Sequence, residues 1–204
     1  MESKGQKTEE WSIFWDGLTP ESEIHMWDYY GLRPWILKYT PRFGKVIEAG
    51  CGLGRYNFYL SKFGIDIEGL DFEKKTIEFL NDWKVENGFE NCSFIEGDVT
   101  DLPYDDNSLS GYISLGVVEH FIEGPHKPIA EAQRVLRPGG ISIITTPSIS
   151  WYIFYRDYLK KGLKNLIKKL IGRKIVEPEF FQYWYRPSKL KKFVEDSGVY
   201  IARA

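Results

Sequence analysis

Short apolar runs alternate with helical periodicities through the middle of the chain. Apolar residues recur every three or four positions over 53–63, 72–85 and 127–136, which predicts three helices. Pro128 suits the first turn of the last of these, and RPGG stops it. Five brief runs, most of them rich in β-branched residues, predict buried strands: KVIEA (45–49), IDIEGLD (65–71), CSFIEGD (92–98), GYISLGVV (111–118) and ISIITT (141–146).

Strands that alternate with helices predict an α/β fold. A mostly parallel sheet with helices on both faces gives a three-layer αβα sandwich. Right-handed crossovers bring the carboxyl ends of parallel strands to one edge of the sheet. Ligands bind at that edge, near the point where the strand order reverses, so we expect the functional site there.

A glycine-rich turn, GCGLG (50–54), follows the first strand and opens the first helix. Glycine permits positive φ and close approach of the backbone to a ligand, and a helix N-terminus offers unpaired N–H groups. The dinucleotide fingerprint G-x-G-x-x-G would need its third glycine at the position of Arg55. The spacing here is G-x-G-x-G, which disfavours a dinucleotide.

Acidic residues stand at the ends of the first three strands. Glu48 precedes the glycine-rich turn, Asp71 ends strand two, and Asp98 ends strand three. Asp71, 21 residues after Gly50, is placed to bind a ribose diol. A carboxylate at Asp98 can accept a hydrogen bond from an adenine amino group. The three carboxylates are therefore predicted to face one cleft.

The chain from about Val46 to Thr146 resembles the class I S-adenosylmethionine-dependent methyltransferases, in the branch that includes the quinone-biosynthesis methyltransferases. The matching segments follow the family's order and spacing: VIEAGCGLGR, GLDFE, FIEGDVTDLPYDDNSLSGYISLGVVEHF and RVLRPGG. The resemblance implies a Rossmann-like sheet, methyl transfer as the activity, S-adenosylmethionine as cofactor and S-adenosylhomocysteine as product. It implies these cofactor-binding residues: Glu48, Gly50, Cys51, Gly52, Gly54, Asp71, Phe72, Gly97, Asp98, Val99, Leu115 and Gly116.

The resemblance also implies what these residues bind. The glycine-rich turn lines the methionine end of the cofactor, and Glu48 orders the turn and the amino group. Asp71 binds the ribose hydroxyls, and Phe72 touches the adenine face. Asp98 meets the adenine amino group beside Val99, and the end of strand four borders the sulfonium. The alternatives are structural: a tight turn, capping aspartates, a small turn residue at position 51 and a core aromatic at position 72.

His120, in VVEHF just after strand four, is the candidate general base. Its unperturbed pKa of about 6.5 suits proton acceptance near neutral pH. The alternative is that His120 only hydrogen-bonds the cofactor or caps the next helix; Glu119 and Tyr112 are weaker candidates for the base. The Asn/Asp-Pro-Pro-aromatic motif typical of DNA and other amino-group methyltransferases does not occur in LGVVEH, which disfavours nucleic-acid bases as acceptors.

Aromatic residues concentrate on both sides of this middle region, with 19 of the 33 in 1–43 and 151–186. We predict a cap over residues 1–44 and a methyltransferase domain over 45–204, with a lid insertion at 151–186. The residues expected to line the acceptor pocket are Trp15, Tyr29, Tyr30, Trp151 and Tyr155. The alternative is that these aromatics pack the lid segments onto the core.

The insertion contains an amphipathic pattern over 153–171. One helical stripe is apolar, formed by Tyr155, Tyr158, Leu159, Leu163, Leu166, Ile167, Leu170 and Ile171. The other side carries Arg156, Lys160, Lys161, Lys164, Lys168 and Lys169. The pattern predicts a lid helix; a basic amphipathic helix can also lie on a membrane surface or bind an acidic partner.

Composition narrows the class of protein. The net charge of −2 gives no field that attracts nucleic acid. No stretch approaches the roughly 18 apolar residues of a membrane span, and the polar start MESKGQKTEE does not read as a signal peptide. Two cysteines and three scattered histidines give neither a disulfide framework nor a metal site. We expect a cytoplasmic location.

The sequence predicts a methyltransferase that acts on a small apolar or aromatic acceptor. Two alternatives stay open: a non-catalytic cofactor-binding scaffold of the same fold, and an NAD-dependent oxidoreductase. VYIARA (199–204) predicts a sixth strand, and the chain holds no counterpart of the family's seventh, antiparallel strand. We expect either that the chain is truncated or that this sheet edge is rebuilt, for example by another chain; the oligomeric state stays open.

Overall fold

The computed structural model describes residues 17–26, 31–148, 155, 159, 163, 166 and 180–198. Its helices in these ranges are α1 (Pro20–Met26), α2 (Arg33–Tyr39), α3 (Arg55–Ser61), α4 (Lys74–Glu86), α5 (His126–Val135) and α6 (Pro187–Asp196). Its strands are β1 (Val46–Ala49), β2 (Ile67–Asp71), β3 (Cys92–Glu96), β4 (Leu109–Leu115) and β5 (Leu136–Thr145). A 3₁₀ turn spans Val118–His120.

The five strands form one parallel sheet in the order β3-β2-β1-β4-β5. The chain winds outwards from β1 to β3 and then returns to the other side of β1. The strand order therefore reverses between β1 and β4, where Glu48 lies opposite Ile113. This arrangement confirms the predicted α/β fold and fixes where a ligand cleft opens.

Apolar side chains fill both faces of the sheet. One core cluster is centred on Phe58, whose ring lies 4.8 Å from that of Trp83 and 5.3 Å from that of Phe94, and it packs α3 and α4 against the sheet. The other cluster joins Tyr112 of β4 to Val135 of α5. Helices on both faces make the three layers expected from the alternation of elements.

All five strands differ at one or both ends from the predicted ranges, and the differences are largest at β4 and β5. Strand four was predicted through Val118 but ends at Leu115, because Gly116 takes a φ of 74° and the 3₁₀ turn follows. Strand five starts at Leu136 rather than 141. Helix α5 ends before RPGG, as predicted, but RPGG is itself part of β5 and lies beside β4. The pairing of these two strands shifts register between Leu109 and Gly111.

Two segments outside the sheet pack against its carboxyl edge and helices. Helix α1 is tied to α3 by Arg55, whose Nε donates to Glu23 Oε2 at 2.7 Å, and to α4 by Trp83, whose Nε1 donates to Glu21 Oε1 at 2.8 Å. Residues 180–185, here called the strap, cross the turn that follows β4. These contacts bring both flanks of the chain to the region where the site is expected.

Several predictions fall outside the described residues, namely the strand over 199–204 and most of the insertion. The division into a cap and a methyltransferase domain stays a prediction. Over the described ranges, no helix combines the length and the apolar character that crossing a bilayer requires.

Candidate functional site at the carboxyl edge of the sheet

The turns after β1 and β4 lie against each other at the reversal of strand order. Gly50 has a φ of 77°, and a Cβ placed on it would lie 2.5 Å from Cγ2 of Val117. Only glycine fits this contact, because any side chain would need both a strained backbone and the space that Val117 fills. The two turns therefore border one cleft.

Asp71 holds the glycine-rich turn in place. Its Oδ2 accepts from the Gly52 backbone N–H at 2.9 Å, and its Oδ1 accepts from the Glu73 N–H at 3.1 Å. Burial raises the pKa of this carboxyl, and the backbone N–H groups of Gly52 and Glu73 oppose the rise. Each carboxylate oxygen can accept a further hydrogen bond, so Asp71 can hold the turn and bind a hydroxyl pair together.

Glu48 is fully enclosed at the end of β1, with 3% of its surface exposed. Burial raises its pKa to about 8, although the positive charge of Arg55 opposes this. In the amide orientation that satisfies both neighbours, Asn57 Nδ2 donates to Glu48 Oε2 at 2.6 Å, and Asn57 Oδ1 accepts from the Gly69 N–H at 3.1 Å. Glu48 is thus a buried acid held by a side chain of α3.

Sequence reasoning missed Asn57. Its signal was a polar residue between Tyr56 and Phe58 in a helix whose neighbours are apolar; in the structure Asn57 is completely buried. A fully buried amide must make hydrogen bonds, and this one joins β1, β2 and α3 directly beneath the glycine-rich turn.

Cys51 and Phe72 differ in exposure. The Cys51 thiol is buried, and burial raises its pKa well above the usual range, so it is a small apolar group of the turn and no nucleophile. Gly54 caps α3 with a φ of 72°. Phe72 follows β2 with 40% of its surface exposed, which leaves a ring face open to a flat ligand.

The loop after β3 presents Asp98 at the same edge. Gly97 N donates to the Asp71 carbonyl at 2.9 Å, which fixes the start of the loop beside β2. Asp98 is exposed, and its Oδ1 accepts from both the N–H and the hydroxyl of Thr100 at 2.7 Å. Val99 is buried behind it. The three predicted acids thus lie at the ends of adjacent strands.

The end of β4 contributes Leu115 and Gly116. Gly116 N donates to the Thr145 carbonyl at 3.0 Å, which continues the sheet by one residue. Beside it stands Glu119, considered in the sequence only as a weaker candidate for the base. Glu119 is 1% exposed, and burial raises its pKa to about 7.

His120 contacts the strap. Its Nδ1 lies 2.8 Å from the Phe181 carbonyl oxygen, and its ring meets the Phe181 ring edge-on at 5.0 Å. Burial lowers the pKa of His120, while the carbonyls of Phe181 and Gly116 oppose the shift. Tyr183 adds a bond from its N–H to the Glu119 carbonyl at 2.9 Å. The imidazole therefore joins the strap to the turn after β4.

Of the predicted acceptor-pocket residues, the structure describes one. Tyr155 is helical and half exposed, as are Leu159, Leu163 and Leu166. Trp15, Tyr29, Tyr30 and Trp151 lie outside the described residues. In the described ranges, no cluster of three His, Cys, Asp or Glu side chains is arranged to hold a metal ion.

Comparison with known proteins gives a family match in the same region. Residues 47–144 match the family model described as "Methyltransferase domain". A chloroplastic 2-methyl-6-phytyl-1,4-hydroquinone methyltransferase of rice is 27% identical over 159 residues, which are 70% of this chain and 42% of the rice protein. A demethylmenaquinone methyltransferase of Staphylococcus aureus is 27% identical over 164 residues, 76% of this chain and 67% of the relative. The chain spans less than half the length of the rice relatives.

Solved structures share the fold at lower identity. A putative methyltransferase of Haloferax volcanii, solved in complex with a methyltransferase activator, matches 95% of this chain and covers 78% of its own, with a TM-score of 0.69 and 18% identity. An S-adenosylmethionine-dependent methyltransferase of Aquifex aeolicus matches 97% of this chain and 91% of its own, with a TM-score of 0.63 and 16% identity.

Proposed function

We propose that this chain, whose residues 47–144 belong to the class I S-adenosylmethionine-dependent methyltransferases, transfers a methyl group to a small apolar or aromatic acceptor. The observation that carries the proposal is the bond from Gly52 N to Asp71 Oδ2, which joins the glycine-rich turn to the acid of β2. That bond joins the turn after β1 to the end of β2 at the carboxyl edge, beside the point where the strand order reverses, and this supports a nucleoside site there. The family match also favours this cofactor over a nicotinamide dinucleotide.

The donor set of the cleft fits this cofactor. Glu48 and the backbone of the glycine-rich turn border the space for its amino-acid end, and Glu48 offers an acid there. Asp71 offers carboxylate oxygens to the ribose hydroxyls, and Asp98 can accept from the adenine amino group beside the exposed face of Phe72. When bound, the cofactor supplies an electrophilic methyl group on a sulfonium. The protein supplies position, charge and exclusion of water.

His120 is our candidate for the group that accepts the acceptor's proton. Since burial lowers its pKa, the imidazole is neutral near pH 7, and a neutral imidazole can take a proton. The contact with the Phe181 carbonyl supports the alternative, in which His120 only tethers the strap. We expect His120→Ala to lower turnover about 100-fold with unchanged cofactor affinity if His120 is the base. Unchanged turnover in this variant would mean that His120 only tethers the strap.

The relatives' names guide the choice of acceptor. They act on a phytyl hydroquinone and on demethylmenaquinone, which combine an aromatic ring with a long apolar chain. We propose a hydroquinone-like acceptor for this chain. Tyr155, Leu159, Leu163 and Leu166, each at least half exposed, supply an apolar stripe that suits such an acceptor or the lipid surface that holds it.

The first test is cofactor binding by calorimetry. Asp71→Asn keeps the size of the side chain but turns an amide toward the Gly52 N–H, so we expect the Kd for S-adenosylmethionine to rise about 30-fold. Asp66→Asn is the matched control, because Asp66 is exposed and precedes the opposite end of β2. Equal affinities of the two variants would contradict the proposed ribose contact.

The second test is methyl transfer from radiolabelled cofactor. The acceptors are a water-soluble 1,4-hydroquinone and a prenylated one in anionic vesicles. Label in either product supports methyl transfer to this class, and label only in the prenylated product supports work at a lipid surface. Cofactor binding without label in any phenolic acceptor would favour the non-catalytic scaffold. The cytoplasmic location stays a prediction.

A further inference from the structure

A buried carboxylate at the turn after β4 has an unused hydrogen-bonding oxygen. Glu119 is 1% exposed, and its Oε2 has no hydrogen-bond partner among the described residues. Its Oε1 lies 3.6 Å from the position that a Cβ on Gly116 would take, and apart from Gly116 and its two chain neighbours no other described residue has an atom within 4 Å of that position. The space over Gly116 is thus open and bordered by a carboxylate. Burying a carboxylate oxygen without a hydrogen-bond or charge partner is costly, so we expect a ligand to supply that partner.

The groups around Glu119 do not neutralise it. His120 stands next to it in the same turn. The strap contributes Tyr183 and the buried Tyr185, and the pKa of Tyr185 is raised by burial and then by Tyr183 and Glu119. The neighbouring strands carry the buried acids Glu48 in β1 and Asp71 at the end of β2, and β4 carries the buried hydroxyl of Tyr112. Among the residues that the structure describes, no lysine or arginine forms an ion pair with Glu119.

We infer that the Glu119 carboxylate is the counter-charge of the cofactor's sulfonium and makes the protein prefer S-adenosylmethionine to S-adenosylhomocysteine. The inference rests on the proposed function, in which the methionine end lies in the glycine-rich turn. The contact between Gly50 and Val117 brings that turn against the one that carries Glu119. The substrate form of the cofactor bears a positive sulfur, and the product form has lost the methyl group, is a neutral thioether and is otherwise the same molecule. Only the former is attracted by the carboxylate.

The charge of Glu119 then follows the reaction. A cation beside it favours the ionised form, so Glu119 gives up a proton when the sulfonium binds. In methyl transfer, a lone pair of the acceptor forms the new bond to the methyl carbon, and the pair of the broken C–S bond stays on sulfur. Glu119 then faces a neutral sulfur and takes up a proton again. The protein holds the product less tightly than the substrate for this reason.

The test compares the two ligands across pH without any acceptor. Calorimetry at pH 5.5, 7.0 and 8.5 gives the ratio of Kd for S-adenosylhomocysteine to Kd for S-adenosylmethionine. We expect this ratio to rise about tenfold with pH in the natural chain, which corresponds to a pKa shift of about one unit at Glu119. Glu48 faces parts that both ligands share, so its own titration cancels in the ratio.

Two variants separate Glu119 from a general charge effect. Glu119→Gln keeps the shape and removes the charge, and we expect a ratio that does not change with pH. Glu123→Gln makes the same change four residues later on an exposed side chain, and we expect it to behave as the natural chain does. A pH-dependent ratio that survives in Glu119→Gln would overturn the inference.

A second measurement needs no variant, so it decides even where Glu119→Gln fails to fold. Binding heats at pH 6.5 in buffers of different ionisation enthalpy count released protons. We expect about half a proton more for S-adenosylmethionine than for S-adenosylhomocysteine. Equal proton release with good binding of both ligands would reject the role of Glu119. Failure to bind either ligand at any pH would instead reject the proposed function.

Discussion

The turn after β1 and the turn after β4 touch at the same cleft, yet their polar groups are satisfied to different degrees. In the first turn, Gly50 and Cys51 both donate to the Leu70 carbonyl, and Gly52 donates to Asp71. In the second, Glu119 keeps an oxygen without a described partner. A turn whose bonds are complete is rigid before its ligand arrives, whereas an incomplete one changes its charge or partners with the ligand. In the proposed site, the first turn would hold the cofactor and the second would respond to its charge.

The largest effect on stability should come from removing Asn57, which supports the fully hydrogen-bonded turn after β1. Asn57→Ala leaves the Glu48 carboxyl and the Gly69 N–H without their buried partner, and we expect it to lower the free energy of unfolding by about 3 kcal/mol. Urea unfolding measures this. Asn81→Ala is the matched control: Asn81 also joins a helix to a strand, through the Phe94 N–H and carbonyl, but is only partly buried. A loss no larger than that of the control would show that the glycine-rich turn does not depend on Asn57.

A smaller effect on stability should come from pH, through Glu119 in the turn after β4. Burial raises the pKa of Glu119 to about 7, above its ordinary value of 4.5, so the folded chain keeps a proton that the unfolded chain releases. Stability is therefore highest below the unfolded pKa and falls as pH rises from about 5 to 7, by about 2 kcal/mol for this group. Glu48, with a pKa of about 8, extends the fall to higher pH.

Glu119→Gln sharpens this measurement, because it removes one of the two acids. We expect urea unfolding of the variant to show a flatter dependence between pH 5 and 7, while the exposed Glu123→Gln variant follows the natural chain. An unchanged slope in Glu119→Gln would mean that its carboxyl is solvated in the folded chain.

The sequence was most informative where a backbone conformation requires one particular residue type. The glycines at 50, 52 and 54 all take positive φ, and their spacing alone separated this turn from a dinucleotide fingerprint. The acids at strand ends could be placed because parallel strands end at one edge. The hydrogen bond from Gly52 N to Asp71 could not be predicted from the sequence pattern, since this bond depends on how far β2 extends past β1.

The features that the sequence did not predict depend on contacts between residues that are far apart in the chain. Glu119 and His120 look alike in the sequence as polar residues after a strand, but in the structure the first is buried and the second contacts Phe181 of the strap. Asn57 likewise depends on contacts with two strands. The early end of β4 follows from the positive φ of Gly116, which the apolar run through Val118 concealed.

The ion pair between Glu23 and Arg55 gives the cap a thermodynamic connection to the cleft. Arg55 is the first residue of α3, directly after Gly54, so α1 is fastened to the same helical turn that, in the proposed site, faces the cofactor. Coupling between two such events is reciprocal: a ligand that strengthens the docking of α1 by some factor is itself bound more tightly by that factor when α1 is docked. A partner that captured Glu23 would therefore act as an antagonist of cofactor binding without entering the cleft.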